Sequence, residues 1–164
     1  MHRLILSLAL LLAACATAPS DAVFRSAGAP IWSAAAFAPA QIAGRWQQVA
    51  AYQAASPGTC NGGAVEFRPA NGGLMVEGVL CLNGSARKVS GLAQPTGPGR
   101  LAVPGQEDWW ILWVDSGYRT LAIGTQSGGF GFVLDRGAAA PDRLAAAREV
   151  FDFNGYSAGA FRAF

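Results

Sequence analysis

Between residues 45 and 136 the chain is written in short apolar runs, each broken by residues that turn a backbone. Runs rich in β-branched and aromatic residues cover 45–53, 63–68, 74–81, 87–92, 100–103, 109–115, 118–125 and 129–136. Between them lie PANGG at 69–73, NG at 83–84, PTGPG at 95–99, DSG at 115–117 and QSG at 126–128. Gly, Asn, Asp and Pro at these places supply the backbone angles that tight turns need. Short strands at regular spacing predict an all-β domain. Neighbours joined by short loops predict an eight-stranded antiparallel up-and-down β-barrel.

After Arg136 the period changes. In APDRLAAAREVFDF, residues Leu144, Ala147, Val150 and Phe151 fall on one helical stripe. Asp142 is a candidate N-cap, and Pro141 suits a helix start. This predicts one C-terminal α-helix packed outside the barrel. The closing YSAGAFRAF can add a short strand, and PAQIAG at 39–44 a turn of helix before the first strand.

The start of the chain has a different character. Met1, His2 and Arg3 precede an apolar run of 11 residues, LILSLALLLAA, too short to span a bilayer. That is the build of a signal peptide over residues 1–14. LAAC, ending at Cys15, resembles a bacterial lipobox, which implies cleavage before Cys15 and lipidation of its thiol. An ordinary signal peptide cleaved after Ala18 is the alternative. Residues 15–38, rich in Ala, Pro and Ser, suit a lipidated tether, although Phe24, Ile31, Trp32 and Phe37 are too apolar to be wholly solvated. The folded domain is then 39–164.

Removing 1–14 lowers the formal charge from +2 to +1 and removes the sole histidine, His2. A chain without histidine has no Ser-His-Asp or Cys-His nucleophile system and no His-ligated haem or zinc. No basic face suggests nucleic acid. No catalytic residue, metal or cofactor is expected. With Cys15 lipidated, Cys60 and Cys81 remain, and an oxidising compartment favours a disulfide between them. A redox pair is the alternative, but there is no Cys-x-x-Cys.

Three motifs carry a family resemblance. GRW at 44–46 resembles the G-x-W motif that opens the first strand of lipocalins. VDSGYR at 114–119 resembles their T-D-x-x-Y turn between the sixth and seventh strands. FGFVLDR at 130–136 resembles the end of their eighth strand, where an arginine packs over the motif tryptophan. With the lipobox in front, the chain resembles the bacterial lipocalins, which are outer-membrane lipoproteins. The resemblance covers residues 39–164 and implies structural roles for Gly44, Trp46, Asp115, Tyr118 and Arg136. It departs from the pattern at Val114, where the motif has threonine, and in WQQVA, which lacks the usual tyrosine and glutamate. Gly44 to Arg136, counting both ends, is only 93 residues, short for the family.

The resemblance implies a lumen that takes a hydrophobic ligand. Strand alternation from Trp46 places Gln48, Ala50 and Tyr52 inside, barring a bulge. From Arg136 it places Leu134, Phe132 and Phe130 inside. The family pattern favours Trp110 and Leu112 inside as well. Tyr52, Phe67, Trp110, Leu112, Phe130 and Phe132 are therefore the candidate ligand contacts. A solid core without a cavity is the alternative. Arg45, Arg68, Arg87, Lys88 and Arg119 are candidates for gripping an anionic head group. Glu66 and Glu77 could form a glycosidase pair, but surface strand positions suit both.

The function expected is a lipid-anchored binding protein, not an enzyme. It would hold or shuttle a fatty acid or lysophospholipid at the outer membrane, facing the periplasm. The lack of aspartate after Cys15 favours the outer membrane. The alternative is a small periplasmic β-barrel protease inhibitor acting through residues 16–40.

Overall fold

A computed structural model describes residues 22–54 and 60–164. The expected signal peptide, Cys15 and the first part of the expected tether lie outside the described residues.

All eight runs form strands: β1 (Gly44–Tyr52), β2 (Ala64–Ala70), β3 (Gly73–Leu82), β4 (Ser85–Gly97), β5 (Arg100–Ala102), β6 (Trp109–Val114), β7 (Thr120–Gly124) and β8 (Gly131–Asp135). Each pairs antiparallel with the next, and β1 pairs with both β8 and β2, which closes the barrel. Helix α1 (Pro141–Phe153) packs outside, and a short β9 (Phe161–Ala163) follows. The N-cap of α1 is Ala140; Pro141 takes the first helical position and Asp142 sits in the first turn without a capping hydrogen bond. The capping expectation for Asp142 is thus corrected: with proline at N1 the helix starts two residues earlier than a cap at Asp142 would place it.

β1 is shared along its length. Residues 44–47 pair with β2, whereas residues 50–52 pair with β9. Gln48 bridges the interval. Its Nε2 donates to the Cys81 carbonyl at 2.8 Å, and its Oε1 accepts the Cys81 N–H at 2.7 Å. A buried amide thus replaces a missing strand rung, because backbone groups left unpaired inside are costly. Cys60 and Cys81 form the expected disulfide.

Two β-bulges decide which side chains face inward. In β1 the register shifts between Gln48 and Ala50, and in β6 between Ile111 and Trp113. Each bulge inserts one residue and reverses the alternation beyond it. After the first, Ala51 enters the barrel core while Ala50 and Tyr52 point out beneath α1. In β6, Val114 packs inward, but the bulge at Leu112 means that Trp109 and Ile111 share its side, not Leu112 and Trp110. Three expected lumen residues, Tyr52, Trp110 and Leu112, are therefore on the outside.

The interior is built by Trp46, Phe67, Val76, Leu80, Leu101, Trp109, Ile111, Leu121, Ile123, Phe132 and Leu134. A second cluster, between barrel wall and helix, contains Phe24, Tyr52, Leu112, Val133, Ala147, Phe151 and Tyr156. Gly131 makes that close approach feasible, since a Cβ there would lie 3.0 Å from Phe151, Tyr156 and Tyr52 alike. Asp135 also points outward but is buried, accepting from Thr120 Oγ1 at 2.6 Å and from Arg143 of α1 at 3.1 Å.

Candidate functional site

The barrel has two unlike ends. At one, residues Pro39–Ile42 form a 3-10 turn across the bottom, and Trp46 donates its indole N–H to the Ile42 carbonyl at 2.7 Å. Arg136 stacks over the Trp46 ring with its guanidinium carbon 4.3 Å from the ring centroid. Its nitrogens also donate to the carbonyls of Tyr118, Gln41 and Ala43. Gly44 opens β1 at φ +108°, and a Cβ there would sit 3.1 Å from the Arg136 guanidinium, so glycine suits both the backbone angle and the space.

The 115–119 turn locks onto this end. Asp115 accepts the backbone N–H groups of Arg119 at 2.6 Å, Thr120 at 2.7 Å and Gly117 at 3.3 Å, and the Arg119 side chain at 2.9 Å. Burial alone raises its pKa, but these hydrogen bonds outweigh it and hold the carboxyl below its ordinary value. The Tyr118 hydroxyl accepts the Ala38 N–H at 2.9 Å.

The other end is open. Loops 83–84, 103–108 and 125–130 surround a pocket of about 740 Å³. Its apolar surface comes from Val23, Leu82, Ala86 and Phe130, and its charges from Arg87, Lys88 and Glu107. The rim is tied in place. Glu107 accepts the Ser127 N–H at 2.8 Å and the Ser127 hydroxyl, joining two loops. The Tyr156 hydroxyl accepts the Thr125 N–H at 2.7 Å and donates to the Phe130 carbonyl at 2.9 Å. Gln106 accepts the Trp109 indole N–H at 2.9 Å.

Below the rim the barrel is filled. Leu80, Leu101, Trp109, Ile111, Ile123 and Phe132 have 0% accessible surface. A void able to hold a water molecule gives its lining accessible surface, so none reaches these side chains. Trp109 meets Phe132 edge-on at 5.1 Å and Phe67 at 6.4 Å, closing the axis with aromatic rings. Of the two readings open in the sequence, lumen or solid core, the structure has a solid core capped by a shallow cup.

Of the candidate contacts, only Phe130 lines the cup. Phe67 and Phe132 face inward but belong to the packed core. Among the candidate cations, Arg87 and Lys88 stand at the cup. Arg68 lies on the exposed outer wall, 2.8 Å from Glu77 and 3.4 Å from Glu66, and Arg119 is held by Asp115 at the closed end. Arg45 is exposed near the start of β1, paired in register with Glu66. Glu66 and Glu77 are directly opposite in register and share Arg68. A solvent-facing ion triad occupies the place of the imagined acid pair.

Two residues that brace the open end carried no readable signal. Arg25 is buried, donating to the carbonyls of Asn154 at 2.7 Å and Gln126 at 2.8 Å and to that of Ala29. In the sequence it is one arginine in an Ala/Pro-rich stretch. Tyr156 sits in a terminal segment whose only cue was its apolar neighbours.

Solved structures with the same arrangement exist. A siderocalin, Ex-FABP, described as functioning through dual ligand specificities, superposes with a TM-score of 0.59 at 14% identity, covering 76% of this chain and 93% of that one. The cockroach allergen Per a 4 gives 0.58 at 12% identity, covering 82% and 92%. Lobster apocrustacyanin A1 gives 0.53 at 16% identity, covering 76% and 77%. The fold is a lipocalin fold. At these identities the likeness is one of architecture: a closed eight-stranded barrel and an external helix. No protein-family model and no curated protein matches the sequence. Of the two ends, the open cup is concave and the other is plugged by Trp46 and Arg136.

Proposed function

We propose that the protein is a binding protein that holds a small amphipathic ligand with an anionic head, such as a fatty acid or lysophospholipid, at the open end of its barrel. The observation that carries this reading is the cup itself: a preformed concavity with Phe130 and Leu82 on its wall and two cations, Arg87 and Lys88, on its edge. The neighbours of the same fold include a siderocalin described by its ligand specificities. The anchor proposed is a lipid on Cys15, in the outer membrane facing the periplasm, and it rests on the lipobox resemblance.

The filled core changes how such a ligand is held. Ten methylenes fully buried would contribute about 8 kcal/mol before binding costs. A chain lying across an open cup is about half buried, leaving about 4 kcal/mol before the same costs, which is about millimolar affinity at best. Head-group contacts with Arg87 and Lys88 are then needed to reach the micromolar range. Residues 22–38 tell against an inhibitor acting through a free N-terminal segment: Phe24 and Phe37 are buried, and Ala34 donates to Ile111 at 2.7 Å.

The test is titration with a fluorescent fatty acid of wild type, Phe130→Asp, Arg87→Glu and the exposed helix control Glu149→Ala. Both cup variants are expected to lose at least tenfold in affinity, with the control unchanged. Equal binding in all four removes the cup as the site.

A further inference from the structure

The N-terminal segment descends the outer wall of the barrel from the open end to the closed one. Phe24 donates to Gly128 in the mouth loop, Ala34 to Ile111 lower on β6, and Ala38 to the Tyr118 hydroxyl at the closed end. The described chain therefore begins beside the cup, where Val23 is 63% exposed and forms part of its wall. Arg25, buried among three carbonyls, fixes that point.

The distance left to Cys15 is short. Six residues, or seven Cα–Cα steps, lead from it to Ala22. Fully extended they reach about 25 Å, and relaxed they span about 15 Å. The nine residues of β1 run about 30 Å along the strand, or about 23 Å along the barrel axis at the usual tilt. A lipid on Cys15 could bring the closed end to a bilayer only with the tether stretched taut down the wall. A relaxed tether holds the mouth there instead.

The mouth suits that surface. Val23 is exposed and Phe130 half-buried, beside exposed Arg87 and Lys88. The acids near this end, Glu107 and Asp108, keep their charge but are half-buried and tied back, Glu107 by Ser127 and Asp108 by the Thr96 hydroxyl at 3.1 Å. The two cations at the rim, by contrast, extend into solvent, where anionic lipid attracts basic side chains within about a Debye length.

The geometry points to the open mouth as a membrane-docking face: the barrel stands cup-down on a leaflet carrying anionic head groups, so that ligand passes between bilayer and cup without crossing bulk water. This rests on the lipid anchor at Cys15 proposed above. It also gives a use to a cup too shallow for tight binding, since the local lipid concentration at a bilayer surface offsets a weak affinity.

The experiment uses the full-length lipidated protein reconstituted in phosphatidylcholine–phosphatidylglycerol vesicles. An environment-sensitive fluorophore is placed at Ala86→Cys, on the mouth, or at Ser116→Cys, in the exposed closed-end turn. Quenching by brominated lipid is then compared. The mouth label is expected to be quenched at least threefold more than the closed-end label, and Arg87→Glu with Lys88→Glu to reduce that contrast. Equal quenching, or stronger quenching at Ser116, overturns the docking while leaving the anchor intact. Protein that does not co-sediment with the vesicles overturns the anchor and the docking with it.

Discussion

The Arg136 guanidinium lies over the Trp46 indole, 4.3 Å from ring centre to Cζ, although 90 positions separate the two residues. One arginine thereby joins the start of β1, the end of β8, the 3-10 turn and the β6–β7 turn. A planar cation can stack and donate in its own plane at once, which a lysine ammonium cannot do.

Arg136→Lys should therefore lower stability despite keeping the charge. Loss of the stacked geometry and of two of the three carbonyl contacts is expected to cost about 1–2 kcal/mol. Urea unfolding gives the number through the midpoint at unchanged slope. Arg136→Lys with wild-type stability would show that the closed end does not depend on the fork.

Tyr52 offers a case of the opposite sign. Its ring is fully buried against Phe151 and Tyr156 at 4.9 Å, yet its hydroxyl has no hydrogen-bond partner among the described residues. An unpaired buried hydroxyl carries a desolvation penalty that phenylalanine lacks. Tyr52→Phe is expected to raise stability by about 1 kcal/mol, seen as an increased urea midpoint. A decrease would mean that a water or an undescribed residue satisfies the hydroxyl.

Alkali should expose the same cluster. Burial raises the pKa of both Tyr52 and Tyr156 above the ordinary tyrosine value of 10.0. A group whose folded pKa is raised keeps its full contribution below the unfolded value and loses it as pH rises past it. Stability should thus fall from about pH 10 upward, and fall less steeply in Tyr52→Phe. Parallel pH profiles for wild type and variant would contradict this assignment.

The barrel was legible because its signals are local: apolar runs, turn residues, and a switch of period at the helix. Trp46 and Arg136 were legible too, through motifs that hold their own strand ends. The ligand-facing set was not. Alternation is a parity count, and one inserted residue at Val49 or Leu112 inverts everything beyond it. Neither bulge carries a glycine or a charge, and the residues beyond each, Ala50 to Tyr52 and Trp113 to Val114, offer no hydropathy contrast between the two faces. In WWILWV no hydropathy contrast tells inside from outside, because α1 and residues 22–38 cover the outer face. Depth of the cavity is a matter of ring volumes meeting across the axis, Phe67, Trp109 and Phe132, which no single run reveals.

Asp135 and Arg143 form a buried pair between barrel and helix, with side-chain exposures of 2% and 17%. Arg143 also donates to Thr120 Oγ1 at 2.6 Å, so three side chains are interlocked. Removing one ion and leaving its partner buried costs about 3–5 kcal/mol. Arg143→Met is expected at the lower end of that range, since Asp135 keeps Thr120 and the Gly137 N–H at 2.9 Å. The double variant Arg143→Met, Asp135→Asn should recover part of the loss. No recovery in the double variant would place the cost in helix packing, not in a stranded charge.

Arg25 should control the upper part of the N-terminal segment. Its guanidinium satisfies the carbonyls of Asn154, Gln126 and Ala29, so it ties that segment to the end of α1 and to the β7–β8 loop at the mouth. Arg25→Ala leaves those carbonyls without their donor, and each such group costs about 1–3 kcal/mol. The effect should be local, because the backbone here makes few ladder bonds: Phe24 donates to Gly128 at 2.8 Å and accepts from Ser157 at 2.7 Å, and Ser26 donates to Gly155 at 2.9 Å. A local opening made easier by about 2 kcal/mol accelerates exchange about 30-fold. Hydrogen exchange followed by mass spectrometry should show that acceleration in peptides covering Phe24 and Ser26. Peptides from β8, whose amides belong to the closed barrel, should be unchanged. Uniform acceleration across both regions would mean that Arg25 supports the whole fold, and no acceleration would mean that the aromatic packing of Phe24 against Tyr52, at 5.8 Å, holds the segment without it.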